Sequence, residues 1–245
     1  MPETRTPVQP PGGGYRIGAD VGGTFTDVVI ELPDGSFEST KVLTTYEDGP
    51  ETGILQGIEQ IASEQGIDLA DVEQIIHGTT LATNALIQRN GAKTALVTTD
   101  GFRDVIETRT EGRFEQYDLN IVLPTPLIER KDRYTVPERL NARGEVLIPF
   151  DEAAAQQVIE TIAAEGYEAV AVGFIHSYTN GAHERRFRDM LIARLPDIAV
   201  SISSEVSPQM REFERFNTVC ANAYIQPLMA SYLMRLKSEL IERGA

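Results

Sequence analysis

The chain has 245 residues, of which 41% are hydrophobic and 24% charged, and its formal net charge is −15. That length gives room for one large domain or two small ones with a real core. No apolar run is long enough for a membrane-spanning helix, and the acidic balance repels phosphate backbones, which argues against nucleic acid as a partner.

Residues 1–14 are polar and rich in Pro and Gly, without the apolar stretch of a secretory signal. They read as a disordered tail, with order beginning after residue 15. Three strands follow, at 16–21, 25–32 and 37–43. Gly22, Gly23 and Thr24 form the first turn and Asp34-Gly35 the second, so the opening is an antiparallel meander. The period then changes. Ile54, Ile58 and Ile61 recur at helical spacing over 51–65, and Gly66 stops that helix. A short strand at 74–77, a helix at 81–88, a strand at 93–98 and a short helix at 101–107 imply parallel strands with helical crossovers.

Residues 108–150 are irregular and contain Pro124, Pro126, Pro137 and Pro149. A connection this long serves a site or holds small strands of its own. Asp151 caps a helix that runs to Ala164. Residues 169–175 are a near-continuous apolar strand suited to a sheet centre. Asn180 caps a further helix, and 198–202 is the last strand. Residues 208–243 form a long helix with an apolar stripe through Phe213, Phe216, Cys220, Ala223, Leu228, Leu233, Leu236 and Leu240, kinked by Pro227. Cys220 is the sole cysteine, so an internal disulfide and a cysteine zinc cluster are excluded. It reads as a small buried hydrophobe, and its isolation suits the cytoplasm.

A meander followed by βα units is the order of a ribonuclease H-like sheet. The expected fold is therefore α/β, a lobe of the kind found in sugar kinases, Hsp70 and actin, with a long C-terminal helix. The segment that carries chemistry is Gly18-Ala19-Asp20-Val21-Gly22-Gly23-Thr24-Phe25-Thr26-Asp27. It has no Gly-Lys-Ser/Thr ending, and it runs from strand to strand, so it is neither a P-loop nor a dinucleotide turn. Adjacent glycines at a hairpin tip admit unusual backbone conformations and let phosphate approach successive N–H groups. Thr24 and Thr26 add hydroxyl donors. Asp20 and Asp27 repel phosphate but suit Mg²⁺, and Asp20 alternatively orients a nucleophile. The bland alternative is an ordinary Gly-Gly hairpin. His77-Gly78-Thr79-Thr80 ends a strand and opens a helix. Thr79 and Thr80 there either contact phosphate, metal or substrate, or simply cap the helix.

The segment from Asp20 to Asp27 resembles the first phosphate motif of the hydantoinase A/5-oxoprolinase family. The resemblance continues through His77-Gly78-Thr79-Thr80-Leu81-Ala82-Thr83-Asn84, Thr98-Thr99-Asp100-Gly101-Phe102-Arg103-Asp104, Tyr117-Asp118-Leu119, Pro137-Glu138-Arg139, His176-Ser177-Tyr178, His183-Glu184-Arg185-Arg186 and Asn222-Ala223-Tyr224. It implies use of ATP with Mg²⁺ to phosphorylate an amide or ketone oxygen, followed by opening of a cyclic amide of hydantoin or 5-oxoproline type. In the related carboxylases it implies carboxylation of a ketone.

On this reading Asp20, His77 and Thr80 are the expected catalytic residues. Gly22, Gly23, Thr24, Thr26 and Thr79 would hold phosphate, and Asp20 with Asp27 would hold the metal. Asn84, Arg113 and Tyr117 would face substrate. Asp104 and Arg109 border the same irregular stretch. The expected division is a tail at 1–15, the family's N-terminal domain at 16–205, and a helix at 206–245 leading to a second lobe. The family's Ser-Gly-Pro-Ala-Gly-Gly type loop, which completes the ATP site from that lobe, does not occur in these residues. The expected partners are therefore a second lobe or subunit, in a hetero- or homo-oligomer, and a small cyclic amide. A non-catalytic assembly role is the alternative.

Overall fold

A computed structural model describes residues 14–32, 34–44, 49–110, 112, 115 and 117–245. The expected tail lies almost wholly outside these residues. The chain begins with strands β1 (Tyr15–Val21), β2 (Phe25–Glu31) and β3 (Phe37–Leu43), then helix α1 (Pro50–Gln65), β4 (Val72–Thr79) and α2 (Leu81–Gln88). There follow β5 (Thr94–Thr99), α3 (Val105–Thr108), β6 (Arg133–Val136), β7 (Arg139–Leu140) and β8 (Val146–Ile148). The last elements are α4 (Glu152–Glu165), β9 (Ala169–Gly173), α5 (Ala182–Arg194), β10 (Ala199–Ile202), α6 (Ser203–Val206) and α7 (Glu212–Glu242). They form two compact units, one up to Gln88 together with Met229–Ala245, the other Arg89–Leu228. The division therefore runs through α7, just after Pro227.

The first unit holds a sheet of order β3-β2-β1-β4. The β1–β2 and β2–β3 pairs are antiparallel, whereas β1 and β4 are parallel. This is the meander and first crossover of a ribonuclease H-like sheet. The alternation along β1 and β2 buries Ile17, Ala19, Val21, Val28 and Ile30 on one face. Ile54, Ile58 and Ile61 of α1 and Tyr232 and Leu236 of α7 pack into the same core. Gly57 sets the approach of α1, since a Cβ there would lie 2.6 Å from a Val28 methyl. Gly66 closes α1 in the left-handed conformation, at φ 66°.

The second unit holds a parallel sheet of order β10-β9-β5-β6. The central strands β5 and β9 are buried at every position, β9 as its apolar run requires and β5 with three threonines among its six residues. Ala155, Ile159 and Ile162 of α4 and Phe187 and Leu191 of α5 cover the sheet. Phe216 of α7 packs so close to Gly173 that a Cβ there would lie 2.6 Å from its ring. Asp151 caps α4 as its sequence implies, accepting the Ala154 N–H at 3.0 Å. Cys220 is buried, and that burial pushes its thiol up to about 12.

The stretch read as irregular does contain small strands. β6 extends the parallel sheet, and β7 and β8 form a two-stranded ribbon. Two helices start later than their sequence suggests. Gly101 adopts φ 82° in a turn ahead of α3, and Arg211 adopts φ 82° ahead of α7. No helix among the described residues is long and apolar enough to cross a membrane.

Candidate phosphate-binding site

The parity of β1 and β2 decides which side chains meet. Asp20 and Asp27 are direct cross-strand partners, both exposed, on the face away from α1. Like charges placed opposite one another repel. Lys41 relieves one of them through an ion pair with Asp27 at 2.9 Å. The Asp20 side chain has no hydrogen bond or ion pair with any described residue. Gly78 is the register partner of Asp20, and a Cβ there would lie 3.1 Å from Asp20 Oδ1. The glycine of His77-Gly78-Thr79-Thr80 thus leaves space for that carboxylate.

The tip beside Asp20 is open and pinned from behind. Gly22 N–H donates to Phe25 O at 3.0 Å, closing the turn. Thr44 N–H donates to Thr24 O at 2.9 Å, and the Thr44 hydroxyl donates to Gly22 O at 3.1 Å. The Gly23 and Thr24 N–H groups donate to no described residue, and a Cβ on Gly23 would meet nothing within 4 Å. Neither Gly22 nor Gly23 takes the left-handed conformation, so the pair serves by lacking side chains rather than by unusual φ.

Thr26 is turned the other way. It is fully buried beneath the tip, 3.0 Å from the Thr44 hydroxyl, so it braces the turn and does not share the carboxylate face. Thr44 carries no signal in the sequence; only the β2–β3 pairing brings it there.

His77 also faces away from Asp20, since its register partner is buried Ala19. Its Nδ1 lies 3.2 Å from Ala19 O, and its Nε2 lies 2.5 Å from the Tyr232 hydroxyl. A carbonyl only accepts, so Nδ1 carries the proton and Nε2 accepts from Tyr232. Both ring nitrogens are thus used inside the fold. Burial pushes the His77 pKa below its ordinary 6.5, against the Ala19 hydrogen bond and the Asp20 charge, which raise it.

The sign of the resulting pH effect follows by linkage. Above pH 6.5 the ring is neutral in both folded and unfolded chains, and its contribution to stability is complete. Below 6.5 the unfolded chain binds the proton first, so stability falls as pH drops toward the depressed folded value. Thermal melts between pH 8 and 5.5 are expected to show this loss. His77→Asn, whose amide can replace the Nδ1 donor, is expected to flatten it.

Thr79 Oγ1 accepts the Leu81 N–H at 3.1 Å, which starts α2. Asn84 Nδ2 donates to Thr80 Oγ1 at 3.3 Å, leaving the Thr80 O–H free to donate outward. Thr80 N–H reaches Val21 O at 3.4 Å, tying the start of α2 to the end of β1. Tyr117 belongs to the second unit and is 90% exposed. Arg113 lies outside the described residues. Asp104 is held by Arg130 at 2.9 Å and by buried Arg133 at 3.4 Å, so it serves as an ion-pair hub. The described residues contain no group of three or more His, Cys, Asp or Glu side chains able to hold a metal by themselves. The Asp20–Asp27 pair suits Mg²⁺ in another way, because that ion keeps several waters and takes one or two carboxylates together with phosphate oxygens.

The other motif residues build the second unit. Glu138 is buried, bonded to the Thr99 hydroxyl and, at 2.7 Å, to His183 Nδ1. Glu184, at the start of α5, is buried as well and accepts from Phe174 N–H and the Ser203 hydroxyl. The His183-Glu184-Arg185-Arg186 run is therefore a packing network.

A meander with an open Gly-Gly tip, flanked by a carboxylate without a partner among the described residues and by a strand that leads into a helix, defines an α/β chain with a ribonuclease H-like first unit. Comparison with known proteins identifies the family. The pattern of the hydantoinase/oxoprolinase N-terminal region matches residues 16–194, and the chain belongs to that family. It is 37% identical to caprolactamase subunit alpha of Pseudomonas jessenii over 94% of this chain and 34% of the relative. It is 32% identical to 5-oxoprolinase of Saccharomyces cerevisiae over 93% of this chain and 20% of the relative. The crystal structure of the ATP-dependent caprolactamase superposes with a TM-score of 0.85, and nucleotide-free acetone carboxylase, 26% identical over 95% of this chain and 35% of that chain, with 0.83. The chain thus spans about a third of the caprolactamase subunit and a fifth of the oxoprolinase.

Proposed function

We propose that this chain is the phosphate-binding part of an ATP-dependent hydrolase that opens a cyclic amide of hydantoin or 5-oxoproline type, with the rest of the nucleotide site supplied by a second lobe or partner subunit. The observation that carries the reading is the presence at one hairpin tip of the Asp20 side chain and the Gly23 and Thr24 N–H groups, none of which bonds to another described residue. A lactam is a poor electrophile, and phosphate transfer from Mg-ATP to its oxygen creates a leaving group and an imidate carbon open to water.

In this account the Gly23 and Thr24 N–H groups and the Thr24 hydroxyl donate to phosphate oxygens, while Asp20 and Asp27 offer oxygens to Mg²⁺. Thr80 donates from the start of α2, where helix N–H groups favour an anion. Thr26 and His77 hold the tip and strand from the buried face. Thr79 positions α2, and Asn84 orients the Thr80 hydroxyl. We place the enzyme in the cytoplasm, as the lone buried cysteine suggests.

The test supplies Mg-ATP to the chain combined with its second-lobe partner and offers hydantoin, 5-oxoproline, caprolactam, or a ketone with bicarbonate. The reading expects ADP and a ring-opened amino acid to appear together. ADP formed only with ketone and bicarbonate would make the protein a carboxylase component, and no ADP with any of them would assign it an assembly role.

A further inference from the structure

The second unit contains a cavity of about 870 Å³ that the phosphate-site reading does not use. Its apolar wall is formed by Phe102, Ile175 and Phe213. Three features of its polar lining single it out. First, Arg139 stacks its guanidinium on the Phe102 ring at 4.2 Å and has no carboxylate partner among the described residues. Its planar fork, held by the ring, is a ready receptor for a carboxylate.

Second, Glu212 Oε1 and His176 Nδ1 are both buried without a hydrogen-bond partner. They lie 3.8 Å apart, and Glu212 Oε1 is also 3.8 Å from Arg215 Nη2, so neither neighbour makes a hydrogen bond to it. A hydrogen-bond donor placed at this pair would supply the missing contact. Third, the described residues include four non-glycine positions with positive φ, and three of them line this cavity: Arg109 at 63°, His176 at 58° and Arg211 at 82°. Such conformations are rarely adopted by L side chains and persist where the surroundings fix them, often at binding sites.

We propose that this cavity is a binding site for a small molecule with a carboxylate at one end, a nitrogen donor at the other and an apolar body between them. Arg139 takes the carboxylate, Glu212 and His176 take the nitrogen donor, and Phe102 and Phe213 cover the body. The assignment rests on residues of the second unit alone and does not depend on the phosphate-site reading.

The test is calorimetric titration of the chain with ω-amino acids of four, six and eight carbons, each against the fatty acid and the alkylamine of equal length. No nucleotide is present. One ω-amino acid is expected to bind at least about tenfold more tightly than both of its single-headed analogues. Arg139→Gln should weaken the amino acid and the fatty acid about tenfold while sparing the amine, and Glu212→Gln should weaken the amino acid and the amine while sparing the fatty acid. Circular dichroism melts check that each variant is folded. If Arg139→Gln melts early, Arg139→Lys replaces it, with a smaller loss on the same two ligands. Equal affinity for double- and single-headed ligands, affinities untouched by either substitution, or no binding at about 10 mM would overturn the proposal.

Discussion

Glu184→Ala is expected to destabilise the second unit by about 3–5 kcal/mol, the range for removing one partner from a buried charged network. Glu184 is fully buried. Its Oε1 accepts from Phe174 N–H at 2.8 Å and from the Ser203 hydroxyl at 2.6 Å, and its Oε2 accepts from Ser204 N–H at 2.8 Å. Arg215, 1% exposed, reaches the same Ser203 oxygen at 3.0 Å and donates to Phe174 O at 2.7 Å. Burial pushes the Arg215 pKa down, and the Glu184 charge opposes that shift. Alanine would strand two N–H groups and leave a buried guanidinium without this counter-charge. Glu184→Gln keeps the shape and one acceptor, so its cost is expected to be smaller. Urea unfolding curves read both. A loss below about 1 kcal/mol for alanine would mean that water reaches the network and the burial argument is wrong.

The second large effect is on binding. Gly23→Val should leave stability within about 0.5 kcal/mol of the parent, because a Cβ at Gly23 meets nothing within 4 Å and the residue does not use the left-handed conformation. The same branched side chain would stand over the Gly23 and Thr24 N–H groups, which donate to no described residue. Mg-ATP affinity is therefore expected to fall about 30-fold or more, equivalent to about 2 kcal/mol. A variant that melts normally and binds normally would show that phosphate does not approach this tip.

Much of the architecture is legible in the sequence because it is written locally. The Gly-Gly and Asp-Gly turns, the isoleucine spacing of α1 with its Gly66 stop and the Asp151 cap all depend on neighbours a few residues apart. What stays hidden depends on long-range pairing. Nothing in the composition near Gln88 signals that β5 leaves the first sheet to found another. β6 is only four residues long and contains a buried arginine, so it lacks the apolar signature of a sheet strand. The apolar stripe of α7 holds through Phe216, Cys220 and Ala223, yet Leu233 is 48% exposed and Tyr232 takes the buried place.

The candidate site divides in the same way. Asp20, Gly23 and Thr24 are legible as a cluster because one hairpin carries them. The turning of Thr26 and His77 to the opposite face follows from strand parity, which the motif alone does not reveal. The partner of His77, Tyr232, lies 155 residues further along the chain.

The most direct test of the phosphate-site account is calorimetric titration of Mg-ATP into the chain combined with its second-lobe partner, using the parent and Asp20→Ala. The Asp20 side chain is exposed, bonded to no described residue and opposite the like charge of Asp27, so its removal should not lower the melting temperature. The account predicts Mg-dependent binding by the parent and its loss in Asp20→Ala. Equal Mg-ATP affinity in the two proteins would contradict it.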